Sequence, residues 1–388
     1  MTGRTLHLAQ ICSSRSWGGL EMHVAVLSRW LAEEGHRVEI WCAPGSPLAN
    51  EAQRLGLPVI PFAPAGYLDL AASLRLFHQF REQEVELLHA HYARDLWNIA
   101  PAVHLGRRWP LVFIKHIGTG KPKRDPIHRW IYAAVDQVVA ISRVIEENLL
   151  ATHPLNRERV CVVHHGVDTR TFAFRPEARA RIRAEWGVGE EELLIGSIGR
   201  LQPGKGHLEF LDMAAAVGAR HPRARFVIVG EPTRGEEERA RPIHDRLRSL
   251  GLEGRVIMAG FRSDIPEVLS AMDIFAFPSR AEAFGLVLIE AMAVGRPVVS
   301  TRCDGVLDIV EEERNGLLFN PAEPGDLTRQ VERLIVDEEL RLRLGRGGLE
   351  TVAARFNRAA MLNRLYAVYE RAGARRGVQL GPLAAARS

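Results

Sequence analysis

Short apolar runs alternate with amphipathic helical stretches along almost the whole chain, and near the middle the alternation starts again. This constrains the fold more than any other feature. Strands that alternate with helices pair in parallel, because each crossover must carry a helix back over the sheet with a right-handed turn. In the first round, residues 6–11, 37–42, 85–91, 111–116, 137–141 and 159–164 read as strands, with residues 59–61 as a short edge. Helical patterns cover residues 20–34, 68–83, 126–134 and 144–150, the last capped by Ser142. In the first of these, Met22, Val26, Leu27 and Trp30 mark the expected apolar stripe, and Gly35 stops the helix. In the second round, strand signals fall at residues 192–198, 225–229, 256–258, 274–277 and 298–300. Residues 307–310 and 316–319 continue the pattern. Helices are expected at residues 208–219, 243–250 and 265–271, and a charged helical tail follows Pro324.

A chain of 388 residues is too long for one ordinary core. The pattern therefore predicts an α/β protein of two doubly wound, Rossmann-like domains. The first spans residues 1–168 and the second residues 169–355. A C-terminal helix in residues 356–388 is expected to pack back towards the first domain, with a frayed tail from Gly377.

Composition excludes several classes. The cysteines Cys12, Cys42, Cys161 and Cys303 are far apart and form no Cys-x-x-Cys pair, so neither a zinc ribbon nor a redox centre is indicated. Buried reduced thiols and a cytoplasmic location are the expectation. No signal-peptide pattern is visible, and no apolar run reaches the ~18 residues that span a bilayer. Net charge is only +4, but the bases are uneven. Arg107, Arg108, Lys115, Lys121, Lys123, Arg124 and Arg129 crowd one stretch, against Asp125 alone. That stretch is either a solvated loop or a patch for anionic lipid headgroups, at the inner membrane face, or for a phosphorylated acceptor. No nucleic-acid recognition motif accompanies it.

Two segments carry chemistry. Gly199-Arg200 and Lys205-Gly206 follow a strand and enter a helix. Glycines let backbone approach a ligand closely. Arg200 offers a planar fork of donors and Lys205 a point charge, a combination suited to a diphosphate that gains charge on leaving. A tight turn with two surface cations is the plainer reading. The Gly-x4-Gly-Lys-Ser/Thr order of a P-loop is absent.

The second segment runs Pro278-Ser279-Arg280-Ala281-Glu282-Ala283-Phe284-Gly285-Leu286-Val287-Leu288-Ile289-Glu290. Its two acids are eight residues apart, about 12 Å along a helix. Ala283-Phe284-Gly285-Leu286 are expected to open that helix, whose free N–H groups favour an anion. Glu290 lies in an otherwise apolar run and needs hydrogen-bond donors, such as ribose hydroxyls. Glu282 is placed to accept from a sugar hydroxyl.

In this order, these motifs resemble the retaining glycosyltransferases of family 4, with the GT-B fold of two Rossmann-like domains facing a central cleft. The matches are Gly199-Arg200-x4-Lys205-Gly206, the glutamate pair in Glu282-x-Phe284-Gly285-Leu286-x3-Glu290, and Trp17-Gly18-Gly19. His116 at a strand end and His165-Gly166-Val167-Asp168 at the junction complete them. Ala283 stands where many members have glycine, and His165 where many have asparagine. The resemblance implies that Gly18 and Gly19 approach the donor diphosphate and that Gly199, Arg200 and Lys205 bind it. Glu282 with the backbone of Ala283, Phe284, Gly285 and Leu286 would hold the sugar, and Glu290 the ribose. His116 would sit beside the sugar, making His116, Arg200, Lys205 and Glu282 the catalytic set.

The implied reaction is transfer from a nucleoside diphosphate sugar to an acceptor hydroxyl, with no metal or other cofactor. The acceptor is expected in cell-envelope polysaccharide or glycolipid synthesis, with a soluble acceptor, as in sucrose or trehalose synthesis, as the other option. No Asp-x-Asp occurs to hold a divalent ion, and His89 with His91 lacks a third ligand at suitable spacing. A nucleotide-sugar epimerase and a non-catalytic nucleotide-sugar-binding protein are the alternatives. A dinucleotide dehydrogenase is disfavoured, because the first strand–helix turn lacks Gly-x-Gly-x-x-Gly.

Overall fold

Strand β1 (His7–Cys12) is buried at every residue, which a strand achieves when helices cover both faces of its sheet. In the computed structural model, which describes residues 4–233, 235–381, 383 and 386, it is the hub of a seven-stranded parallel sheet. Its companions are β2 (Arg37–Cys42), β3 (Val59–Pro61), β4 (Leu87–Ala90), β5 (Leu111–Lys115), β6 (Gln137–Ala140) and β7 (Val160–Val162), in the order β3-β2-β1-β4-β5-β6-β7. The second sheet comprises β8 (Leu193–Ile198), β9 (Ala224–Val229), β10 (Val256–Met258), β11 (Ile274–Phe277), β12 (Val298–Thr301) and β13 (Leu317–Phe319). It is also parallel, ordered β10-β9-β8-β11-β12-β13. In each sheet the winding reverses beside the first strand, between β1 and β4 and between β8 and β11. Ligands of doubly wound sheets bind at such switch points, beyond the carboxyl ends of the strands.

The described residues divide into two compact units, one of residues 1–164 with 358–388 and the other of residues 165–357. The helix Arg358–Arg375 thus belongs to the first unit, and buried polar contacts secure it there. Tyr369 Oη lies 2.9 Å from Nδ1 of His89, a residue of β4 with no exposed surface. Burial pushes the His89 imidazole down to about 3, so the ring is neutral. His36 Nδ1 accepts from the Leu6 amide at 3.1 Å, which leaves Nε2 to donate to Tyr366 Oη at 3.2 Å. Arg358 is paired with Glu33 and Glu34, and Arg376 Nε donates to Asp136 at 2.7 Å. Within the second unit, Val167 N donates to Phe356 O at 2.8 Å, so the two segments at which the chain changes unit run side by side.

Several expectations need correction. The buried face of helix Gly19–Glu33 carries His23, Val24, Leu27, Trp30 and Leu31, whereas Met22 and Val26 are exposed. Leu27 and Trp30 belong to both stripes, and the helix is rotated so that the Met22–Val26 side faces water. Residues 307–310 form no strand; a 3-10 turn, Asp304–Asp308, occupies much of that stretch. Helices Pro47–Arg54, Leu96–Gly106 and Pro176–Glu185 go unassigned in the sequence reading. The tail beyond Gly377 does not fray where it is described: Leu380 is buried, and Arg4 donates to Gln379 O at 2.7 Å. Residues 382, 384, 385, 387 and 388 of that tail lie outside the described residues. All four cysteines are free; Cys12 and Cys42 are buried, and Cys161 and Cys303 partly so.

Candidate active site

Two loops at the carboxyl ends of β8 and β11 are stitched together by backbone. Gly206 adopts φ +78°, and a Cβ there would lie 2.0 Å from Pro278 O, so only glycine allows the approach. Gly204 O accepts from Arg280 N at 2.9 Å. The stitching brings Lys205 Nζ to 2.7 Å from Glu282 Oε2. Arg200 is exposed, with a long contact of 3.4 Å from Nη1 to Thr233 Oγ1. Its backbone is fixed instead, since His207 Nε2 donates to Arg200 O at 2.9 Å. Burial lowers the pKa of His207 and favours the neutral ring that this contact uses. His207 is a positioning residue that carried no assignment in the sequence reading. Gly199 is held to β9 by donating to Val229 O at 2.9 Å.

The helix after β11 is Leu286–Ala293, so Ala283, Phe284 and Gly285 precede it rather than open it. Gly285, at φ +95°, ends the loop in a left-handed turn. The eight-residue interval between Glu282 and Glu290 is therefore not a run of helix. The Phe284 side chain is buried, edge-on to His165 at 5.3 Å and Phe356 at 6.0 Å, and anchors the loop to the core. Gly305 supports the loop from the side. Its amide donates to Glu282 O at 3.0 Å, and a Cβ there would meet Ala283 O at 2.2 Å. Leu286 is the first residue of the helix and is partly exposed. The Glu290 side chain, one turn on, makes no hydrogen bond or ion pair among the described residues. It reaches the surface only in part, and desolvation pushes its carboxyl up to about 7. At the β10 end, Phe261 is exposed, while Arg262 is tied to Asp264 and Glu185.

In the first unit, Gly18 is extended and a Cβ on Gly19 would meet open space, so the fold itself does not require glycine at either position. The loop that carries them is pinned from below. Asp95, buried, accepts from Ser13 N at 2.8 Å and from Ser13 Oγ, and burial raises its carboxyl to about 7. His116 directly follows β5 and is buried. His91 and His23 surround it, with ring centroids 6.0 and 5.2 Å away. Of His89 and His91, only His91 has further imidazoles grouped with it, those of His23 and His116. The additional imidazoles come from a helix and from the next strand, where sequence spacing says nothing. The basic stretch also divides. Arg107, Arg108, Lys121, Arg124 and Arg129 are exposed, Lys123 partly so, but Lys115 is buried. Desolvation, and then the charge of Lys123, lower Lys115 to about 8.

Residues 178–351 match the family described as Glycosyl transferases group 1, and residues 17–171 match Glycosyltransferase Family 4. A curated relative from Saccharomonospora viridis, named D-inositol 3-phosphate glycosyltransferase, is 29% identical over 389 residues, covering 92% of this chain and 89% of its own. The crystal structure of a glycosyltransferase from Rickettsia africae superposes with a TM-score of 0.86 at 19% identity, over 95% of this chain and 98% of its own. That of Anabaena Alr3699/HepE in complex with UDP has a TM-score of 0.83 at 24% identity, over 94% and 100% of the two chains.

Proposed function

Because this chain is a glycosyltransferase of the GT-B fold, we propose that it moves a sugar from a nucleoside diphosphate sugar to an acceptor hydroxyl, with retention at the anomeric carbon. The observation that carries this reading is the Lys205–Glu282 contact of 2.7 Å, made by two loops at one switch point. A cation for the diphosphate and an acid for the sugar stand next to each other. Arg200, exposed on the same loop as Lys205, adds a second cation, and the unpaired Glu290 carboxyl is an acceptor in want of hydroxyl donors.

In this mechanism Arg200, Lys205 and the amides before Leu286 take up the charge that gathers on the leaving diphosphate, without a metal ion or other cofactor. Glu282 and the backbone of Ala283 to Gly285 orient the sugar, and Glu290 accepts from the ribose. Gly18 and Gly19, glycines that their own backbone does not demand, leave room for the phosphates. His116 lies by the sugar. The acceptor proton passes to the departing phosphate on the same face, so that configuration is kept.

For the acceptor we favour cell-envelope polysaccharide or glycolipid synthesis at a membrane surface. Exposed Ile117 and Ile127 lie among the exposed bases between Arg107 and Arg129, and exposed Leu105 and Trp130 flank that stretch, a composition suited to an anionic bilayer. No helix among the described residues is long and apolar enough to cross a membrane, and the contact we favour is a peripheral one. A soluble phosphorylated polyol is the second reading, favoured by the name of the Saccharomonospora relative. Thermal shift with UDP-, GDP- and ADP-sugars, followed by transfer assays with the stabilising donor, tests the central claim. UDP is the first choice because the Anabaena neighbour holds it. Donor consumption that is independent of any acceptor would instead indicate an epimerase.

A further inference from the structure

We propose that His23, His91 and His116 form a binding site for one borderline transition-metal ion of the Zn2+ class. Each residue offers one ligand nitrogen, and the three nitrogens lie within 4.8 Å of one another. All three side chains are at least nine-tenths buried. They come from three elements that meet at the carboxyl edge of one sheet. His91 follows β4, His116 follows β5, and His23 lies in the second turn of the helix leaving β1. Neighbouring strands therefore fix two ligands, and a helix packed on the same sheet fixes the third.

The geometry is close to that of a three-histidine site. Nitrogens bound to one tetrahedral ion at about 2.1 Å stand about 3.4 Å apart. Closing from 4.8 Å takes movement of about 1 Å, within the reach of small torsional changes. A second shell is already present. Gln10 Oε1 lies 2.7 Å from His91 Nε2 and orients that ring, as carboxamides and carboxylates do for metal-bound imidazoles. The set is all nitrogen and uncharged when deprotonated. It suits Zn2+, Co2+, Ni2+ or Cu2+, and offers nothing to Mg2+ or Ca2+, which demand oxygen ligands. Three protein ligands leave a fourth position for water or an anion.

The ion plays no part in the transfer proposed above; it would oppose it. A metal that takes His116 withdraws that ring from the sugar. This consequence rests on the reading of His116 given under the proposed function, whereas the site itself does not.

The test uses untagged full-length protein. Titration with Co2+ should give visible d–d bands of a four-coordinate ion that saturate at one equivalent. Zn2+ should displace the Co2+ and raise the melting temperature, and Mg2+ should do neither. His23→Gln and His91→Gln should each weaken Co2+ binding on the order of a hundredfold, while His78→Gln, on an exposed helix face, should not change it. The proposal is overturned if the folded parent gives no such bands, or if they persist in both variants. Should one variant misfold, the other and the parent titration still decide. Zn2+ that binds with this pattern yet leaves transfer unaffected would keep the metal site and remove His116 from the sugar.

Discussion

Lys205 donates to Glu282 across 2.7 Å, so the two groups assigned to the opposite halves of one ligand are paired with each other in the unliganded chain. Each holds the other in place, and in the proposed reaction the sugar donor separates them. Replacing Lys205 with Ala should lower kcat about a hundredfold, in line with the loss of one oriented donor to a developing anion. The ion pair is partly exposed, so the same change should cost no more than about 1 kcal/mol of stability. Turnover at the parental rate would remove Lys205 from the diphosphate.

Glu290 supplies a pH signature. Its folded-state carboxyl titrates at about 7, above the ordinary value of about 4.3. Between those limits the folded chain holds a proton that the unfolded chain has lost, so stability falls as pH rises through the window and stays lower above it. Glu290→Gln should therefore raise stability at pH 8 by about 2 kcal/mol and be near neutral at pH 4. Donor binding should weaken in the same variant. Melting curves at the two pH values check the first part, and an equal shift at both would contradict it.

Gly204 and Gly206 separate two costs that are usually mixed. Both have positive φ, but a Cβ on Gly204 meets open space, while one on Gly206 would overlap Pro278 O. Gly204→Ala should cost about 1–2 kcal/mol, the strain of a left-handed alanine. Gly206→Ala should cost more and reduce transfer further, because it pries Lys205 away from Glu282. Equal losses from the two variants would show that the stitching of the loops does not matter.

Membrane contact is tested by charge and by aromatic content separately. Sedimentation with anionic vesicles should be strong at low salt and weak at high salt. Changing Arg124 and Arg129 to Gln should weaken it by about 1 kcal/mol per base. Trp130→Ala should weaken it at every salt concentration. No sedimentation of the parent at low salt would shift the acceptor towards a soluble phosphorylated polyol.

The doubly wound architecture was legible because parallel strands buried on both faces leave long apolar runs, such as residues 6–11 and 111–116. Helices announced by clean periodicity were also legible. Pro47–Arg54 and Pro176–Glu185 were not, since each opens on a proline, which favours the first helical turn but also marks loops. Leu96–Gly106 carries Pro101 in its interior and is apolar on most sides, which blurs its period. In the site, the closeness of Lys205 and Glu282 could be inferred from motif order, although the pairing itself depends on the glycine contact with Pro278 O. The support from Gly305 and the grouping of His23 with His91 and His116 left no local trace. They arise where separate segments converge, and spacing along the chain does not encode that.

The helix Arg358–Arg375 completes a unit whose other part ended nearly two hundred residues earlier, at residue 164. On the ribosome, the intervening unit can therefore finish folding first. Until the last turns emerge, His89 waits without the hydroxyl of Tyr369, and Asp136 without Arg376. A transcript cut short before residue 358 yields one complete lobe and one unfinished lobe, so quality control would meet an exposed seam on the amino-terminal part of the molecule, the part made first and closed last.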